Sequence, residues 1–254
     1  MTDHILETKN LGIDFGGLTA VNNLNLYVDA NEIVGLIGPN GAGKTTVFNL
    51  LTKVYNPTRG QVFLDGKDLE KANTIDACTA GVVRTFQNIR LFSEISVIDN
   101  VKAAMVNLYH YSVLDTMLHT SKYRSNEKLI EEKAEELLDI FNLKDSKDLK
   151  ASSLPYGAQR RLEIARALAT NPKILLLDEP AAGMNPQETD DLMNTIKFVR
   201  DKFNIAILLI EHDMNLVMNI CERIYVLNYG MLLAKGSPED IKNNPDVIKA
   251  YLGD

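Results

Sequence analysis

The stretch Gly38-Pro39-Asn40-Gly41-Ala42-Gly43-Lys44-Thr45-Thr46 sets three glycines, a lysine and two hydroxyls at the spacing that cradles a phosphate chain. Gly38, Gly41 and Gly43, with Asn40 between them, let the backbone turn its N–H groups toward one anion, and a following helix adds its positive end. Lys44 is expected to reach the β and γ phosphates as a flexible point charge, the Thr45 hydroxyl to ligate a Mg²⁺ bridging them, and Thr46 to donate to the α phosphate. A second stretch, Ile174-Leu175-Leu176-Leu177-Asp178-Glu179-Pro180, is an apolar run ending in two carboxylates. Asp178 at the end of a buried strand can meet the metal, usually through water, and Glu179 beside it can polarise an attacking water as general base. These two stretches alone leave kinases, GTPases and other nucleotide enzymes open. A third, Leu154-Pro155-Tyr156-Gly157-Ala158-Gln159-Arg160-Arg161, is a helix start with no use in those enzymes: Pro155 fits a first turn, and good helix formers follow it.

The elements that must hold these residues are legible from pattern. The run 32–37 is an apolar strand ending in the glycine loop, and residues 45–53 continue as a helix, the strand-loop-helix setting a phosphate loop requires. Residues 4–32 alternate short apolar stretches with Gly16-Gly17 and Asn22-Asn23, which suits antiparallel strands, and 61–66 extends this β lobe. From about residue 89 the pattern turns helical, with Ile130, Ala134, Leu137, Leu138 and Phe141 at helical spacing among charges. The runs 173–177 and 205–210 are continuous enough for strands covered on both faces, with a helix expected over 188–203 between them. Gly236-Ser237-Pro238-Glu239 opens like a capped short helix ending near Leu252-Gly253. The resulting expectation is one α/β domain: a β lobe and phosphate-loop core over 1–88, an inserted helical lobe over about 89–158, the core again over 159–235 and a tail over 236–254.

Bulk properties narrow the partners. With 27 Lys+Arg against 34 Asp+Glu the net charge is -7, which removes any general electrostatic reason to hold nucleic acid, and none is expected as a partner. Cys78 and Cys221 are the two cysteines and have no metal-ligand spacing, so reduced thiols are expected. Neither a basic, apolar leader nor a membrane-spanning run is present, which points to a cytosolic chain held to a membrane only by a partner.

Taken in order, the four stretches, with Gln87 as the link between the first two, resemble the nucleotide-binding subunits of ABC transporters, and the resemblance covers nearly the whole chain. It implies a P-loop NTPase (RecA-like) core with an antiparallel β lobe and an inserted helical lobe, and ATP with Mg²⁺ at the site. In this family the helix start at Pro155, Tyr156 and Gly157 faces the γ phosphate of ATP held by the other subunit, so two ATPs are shared across a dimer. His212 resembles the switch histidine that touches the γ phosphate, and Gln87 in Arg84-Thr85-Phe86-Gln87 resembles the glutamine that contacts Mg²⁺ and the attacking water. Phe15 is expected to stack on adenine. The chain departs from the family's Leu-Ser-Gly-Gly-Gln, since Pro155, Tyr156 and Ala158 replace Ser, Gly and Gln while Gly157 is kept. Pro155 offers neither hydroxyl nor N–H, so contact there must rest on the helix dipole and the N–H groups of Tyr156, Gly157 and Ala158. Asn185 stands where the family usually has aspartate at a dimer contact, keeping the shape and losing the charge.

Closer still, Thr46-Val47-Phe48-Asn49-Leu50-Leu51-Thr52, Arg84-Thr85-Phe86-Gln87-Asn88-Ile89-Arg90-Leu91-Phe92 and Ala250-Tyr251-Leu252-Gly253 look like the ATP-binding subunit of branched-chain amino acid importers. That resemblance implies a second ATPase subunit, identical or a paralogue, two integral membrane permease subunits and, indirectly, a substrate-binding protein, with the chain on the cytoplasmic face of the membrane. ATP closes the dimer, the region from Gln87 to Phe92 moves the membrane subunits, and hydrolysis by Glu179 resets them. Lipopolysaccharide export and a soluble ABC switch protein are the alternatives that share the fold; a small-molecule P-loop kinase has no use for residues 154–161.

Overall fold

Two burial patterns among the strands separate two sheets. Strands β1 (His4–Phe15), β2 (Leu18–Leu24) and β3 (Tyr27–Asp29) mix buried and exposed positions, whereas β4 (Ile33–Ile37) is buried at every residue. After β5 (Arg59–Leu64) and β6 (Lys67–Asp68) come β7 (Val82–Arg84), β8 (Ile174–Asp178) and β9 (Ala206–Ile210), the last two buried throughout. The hairpin of β10 (Arg223–Asn228) and β11 (Met231–Gly236) completes the set. A strand with one wetted face alternates, while one covered on both sides is apolar throughout. Accordingly β2-β1-β5-β6, with β3 also on β1, form an antiparallel sheet, and β11-β10-β4-β9-β8-β7 form a second one. In the second sheet all neighbours are parallel except the β10/β11 edge pair. One apolar core joins residues of both, among them Leu11, Val21, Phe48, Leu64, Leu176 and Leu208.

The structure, a computed structural model, describes residues 4–109, 115, 117 and 119–252. Its named helices are α1 (Lys44–Leu51), α2 (Thr74–Ala80), α3 (Val97–Met105), α4 (Ser121–Ile140), α5 (Tyr156–Leu168), α6 (Pro186–Phe203), α7 (Met214–Ile220), α8 (Pro238–Lys242) and α9 (Pro245–Leu252). The chain divides into two compact units, residues 1–87 with 172–254, and residues 88–171. Both sheets lie in the first. In the second, α4 and α5 pack on α3, and α4 buries Ile130, Ala134, Leu137 and Leu138, the positions its spacing predicts.

Two boundaries differ from the sequence reading. The return to the core predicted at residue 159 comes instead after Asn171. The reason is that α5 is one continuous helix burying Leu162, Ile164 and Ala165, and a rigid helix does not change its packing partner after a single turn. The tail predicted as one helix is two, because Asn243 closes α8 and Pro245 cannot continue it. Ser237 and Asp240 form the expected capping box of α8. Gly253, where that tail is predicted to end, lies outside the described residues. Among the described residues no helix is long and apolar enough to cross a membrane.

Candidate functional site

Four neighbouring strands, in the order β4-β9-β8-β7, end at the residues whose types suggest chemistry. Being parallel, they deliver their carboxyl ends to one edge of the sheet, where open α/β sheets bind ligands. β4 runs into the glycine loop, β9 into Glu211 and His212, β8 ends in Asp178 with Glu179 next, and β7 passes through Arg84 toward Gln87. Strands about 4.8 Å apart thereby make neighbours of side chains far apart in sequence.

Glycine is required in the loop by space as well as by dihedral. Gly38 has φ 149°, and a Cβ there would lie 2.1 Å from the Leu227 carbonyl oxygen. Gly43, at φ 101°, would bring a Cβ within 2.8 Å of the Ala20 oxygen, and it caps α1 without a side-chain acceptor. The first N–H groups of α1 therefore remain for an anion, at the positive end of the helix. Lys44 is buried, and its Nζ donates to the carbonyls of Gly38 at 2.7 Å and Pro39 at 3.0 Å. Burial pushes the Lys44 pKa down, while the carboxylates of Glu179 and Asp178 pull against that shift. Asn40, Gly41, Gly43, Lys44, Thr45 and Thr46 line a cavity of about 400 Å³ together with Glu179 and His212.

Glu179 is held at both oxygens. Gln87 Nε2 donates to Oε2 at 2.5 Å, and His212 Nε2 lies 2.9 Å from Oε1. Its backbone is left-handed, φ 48°, a conformation that costs a non-glycine residue about 1–2 kcal/mol. Hydrogen bonds from Glu179 N to the Ile210 oxygen at 2.9 Å and from Ala182 N to the Glu179 oxygen at 3.1 Å keep it there. The adjacent Asp178 is turned elsewhere: its Oδ2 pairs with Arg84 Nη2 at 2.5 Å, with both side chains almost fully buried. Neighbouring carboxylates on one strand end thus face different partners.

Behind His212 stands a group the sequence reading passed over. The Glu211 carboxylate accepts hydrogen bonds from Ala181 N at 2.7 Å, His212 N at 2.9 Å and Asp213 N at 3.3 Å. It ties the turn after Glu179 to the turn carrying His212. Burial raises the Glu211 pKa, and those three N–H groups oppose the rise. The far wall of the cavity was also missed: Leu18, Thr19 and Ala20 on β2, and the turn Tyr229-Gly230. Gly230 N donates to the Ala42 oxygen at 3.0 Å, and Asn22 N to the Gly230 oxygen at 2.8 Å, so this turn fastens the glycine loop to the β lobe. The signal available for it was the glycine in Asn228-Tyr229-Gly230, a hairpin turn with positive φ at Tyr229 and Gly230.

The remaining predicted residues are not among those lining this cavity. Phe15 ends β1, exposed, edge-on to Tyr55 with ring centroids 5.2 Å apart, and outside the cavity lining. Pro155, Tyr156 and Gly157 belong to the second unit, where Pro155 is the N-cap of α5 and makes no side-chain cap. Gln159 Nε2 turns back to the Leu154 oxygen at 2.8 Å, Arg160 Nη2 donates to the Tyr156 hydroxyl at 3.3 Å, and Arg160 pairs with Glu163 at 2.8 Å in full burial. Asn185 caps α6 in a box with Glu188. The oxygen donors Thr45, Gln87 and Asp178 are of the kind Mg²⁺ takes. Among the described residues no group of three or more His, Cys, Asp or Glu could hold a metal ion by itself. That donor set fits Mg²⁺, which is commonly held by one or two protein oxygens with waters and substrate phosphates as its other ligands.

Comparison with known proteins gives this geometry its relatives. A family model described as ABC transporter matches residues 21–182, and one described as branched-chain amino acid ATP-binding cassette transporter matches residues 231–254. The high-affinity branched-chain amino acid transport ATP-binding protein BraF of Pseudomonas aeruginosa is 49% identical over 254 residues, covering 100% of both chains. The lipopolysaccharide export system ATP-binding protein LptB of Haemophilus influenzae is 34% identical over 250 residues, 98% of each chain. The crystal structure of the ADP conformation of an ATP-binding cassette of an ABC transporter superposes with TM-score 0.86 at 31% identity, covering 100% of both chains.

Proposed function

Since the chain belongs to the ABC transporter family, we propose that it is the ATP-hydrolysing subunit of a membrane importer for branched-chain or related amino acids. The observation that carries the chemistry is the Glu179 carboxylate clamped between Gln87 and His212 on the wall of a cavity floored by the phosphate loop. The loop N–H groups, Lys44 and Thr46 take the phosphates, and Phe15 takes the adenine by stacking. Thr45, Gln87 and Asp178 would hold Mg²⁺, which would supply charge neutralisation to the substrate phosphates. Glu179 accepts the proton of the attacking water, oriented by the amide of Gln87, while His212 fixes the other carboxylate oxygen and reaches toward the γ phosphate.

The helix start at Pro155, Tyr156 and Gly157 completes the site of a second ATPase subunit, identical or a paralogue. Closure of that pair on ATP, transmitted through the region from Gln87 to Phe92, moves two permease subunits that receive cargo from a binding protein. The chain then works at the cytoplasmic face of the membrane, held there by the permeases. The amino acid cargo is supported by the match over residues 231–254 and by the relative at 49% identity, against 34% for the lipopolysaccharide export relative. The test is uptake of labelled leucine by cells carrying the native chain or Lys44→Ala at equal expression. Loss of uptake in the variant is the expected result. Unchanged uptake, with the native protein still hydrolysing ATP, discards the cargo and keeps the ATPase.

A further inference from the structure

Arg84 is bound more tightly into the site than a residue of β7 needs to be. Its Nη2 pairs with Asp178 Oδ2 at 2.5 Å and its Nη1 donates to Asn49 Oδ1 on α1 at 2.7 Å. The guanidinium carbon lies 5.4 Å from the Phe48 ring and 5.2 Å from the Phe86 ring. The Arg84 and Asp178 side chains are 7% and 8% exposed. Arg84 Nε is buried with no hydrogen-bond partner, so the side chain forgoes one bond to keep this pose. A guanidinium does not deprotonate in a protein, so Asp178 has a permanent positive neighbour. Removing a buried carboxylate's partner is far more harmful than the pair is beneficial, which gives the pair a purpose whenever the carboxylate has no other cation.

We propose that Arg84 is a positioning residue that serves Asp178 as a built-in counter-cation: it fixes the carboxylate in place between turnovers, and it weakens the hold of Asp178 on the divalent ion so that the ion leaves with product. This rests on the reading that Asp178 serves the magnesium ion. Two unit charges a few ångströms apart at a partly buried site interact strongly enough to change an ion's affinity by an order of magnitude. The pair Oδ2–Nη2 uses one carboxylate oxygen and leaves Oδ1 for the ion or its water.

The test is Mn²⁺ binding to the full chain saturated with ADP, followed by electron paramagnetic resonance, in the native protein and in Arg84→Gln, Arg84→Lys and Asp178→Asn. Arg84→Gln keeps a donor to Asp178 and loses the charge; it is expected to bind Mn²⁺ about three- to tenfold more tightly. Arg84→Lys keeps the charge and is expected to stay within about twofold of native. Unchanged or weaker binding in Arg84→Gln, or equal shifts in both variants, overturns the proposal. If Arg84→Gln does not fold, Arg84→Lys decides, since a change of about tenfold in either direction contradicts a role carried by charge. Equal Mn²⁺ affinity in native and Asp178→Asn would instead remove the metal reading of Asp178, a failure distinct from that of Arg84.

Discussion

The glycine-loop region and the helix start at Pro155, which the proposed function sets against phosphate, are wired in opposite ways. In the first, the side chains hold one another: Lys44 on the loop carbonyls, Glu179 between Gln87 and His212, Asp178 on Arg84. In the second, Pro155 caps α5 with no side-chain bond, and the buried Arg160-Glu163 pair, with Arg160 also donating to the exposed Tyr156, stiffens the helix behind its start without adding a donor at it. What the second region offers an anion is backbone N–H and a helix end. Under the proposed function the difference divides the labour: reacting groups are assembled within one unit, and the other supplies a rigid surface that senses a phosphate held elsewhere.

The largest effect that separates the two is loss of the base. Glu179→Gln is expected to lower the hydrolysis rate about 10²–10⁴-fold with ATP affinity nearly unchanged, because the amide has the same shape, its oxygen still accepts from Gln87 Nε2 and its NH2 faces His212 Nε2, while the proton-accepting charge is lost. Single-turnover hydrolysis measured beside equilibrium binding of ATP checks this. A parallel fall in affinity would mean that Glu179 holds substrate as much as it reacts, and the division of labour would fail.

The two regions also differed in how far the sequence revealed them. The glycine loop and the Asp178-Glu179 strand end were legible because each is dictated locally, by positive φ at Gly38 and Gly43 and by an unbroken apolar run buried on both faces. The hold of Arg84 on Asp178 was not, since the two are 94 residues apart and meet only through the β7/β8 register. Glu211 was hidden for another reason: a glutamate after an apolar strand looks like a surface residue, and nothing local says that three backbone N–H groups converge on it. At Pro155 the helix was legible while its allegiance was not, because propensity locates a helix start and says nothing of which unit the helix packs into.

A smaller effect sharpens the contrast at Pro155. Proline at the N-cap removes the hydroxyl that a serine would offer a phosphate oxygen, a charged hydrogen bond worth about 1.5–3 kcal/mol. Pro155→Ser is therefore expected to tighten ATP-dependent dimerisation of the hydrolysis-deficient Glu179→Gln chain by about 10- to 100-fold for each helix start that meets a phosphate, read by sedimentation. Unchanged dimerisation would show that this helix start meets no phosphate through its cap, and that the backbone N–H groups alone define it.

The smallest effect lies in the brace behind His212. For Glu211 burial raises the pKa above its ordinary 4.5 although three N–H groups pull it down, so the folded chain holds this proton more tightly than the unfolded chain does. Stability from this group is then fully present below the unfolded value and falls as pH rises through the folded one. Glu211→Gln, which cannot ionise, lacks that fall. The margin of native over variant should shrink as denaturation is followed from acid toward neutral pH. If the margin grows instead, the three N–H groups outweigh burial and Glu211 is a charge held by donors. The glycine-loop side would then carry a second anion site built of backbone N–H, this one filled by its own carboxylate, and the opposition between the two regions would narrow to whose anion each one binds.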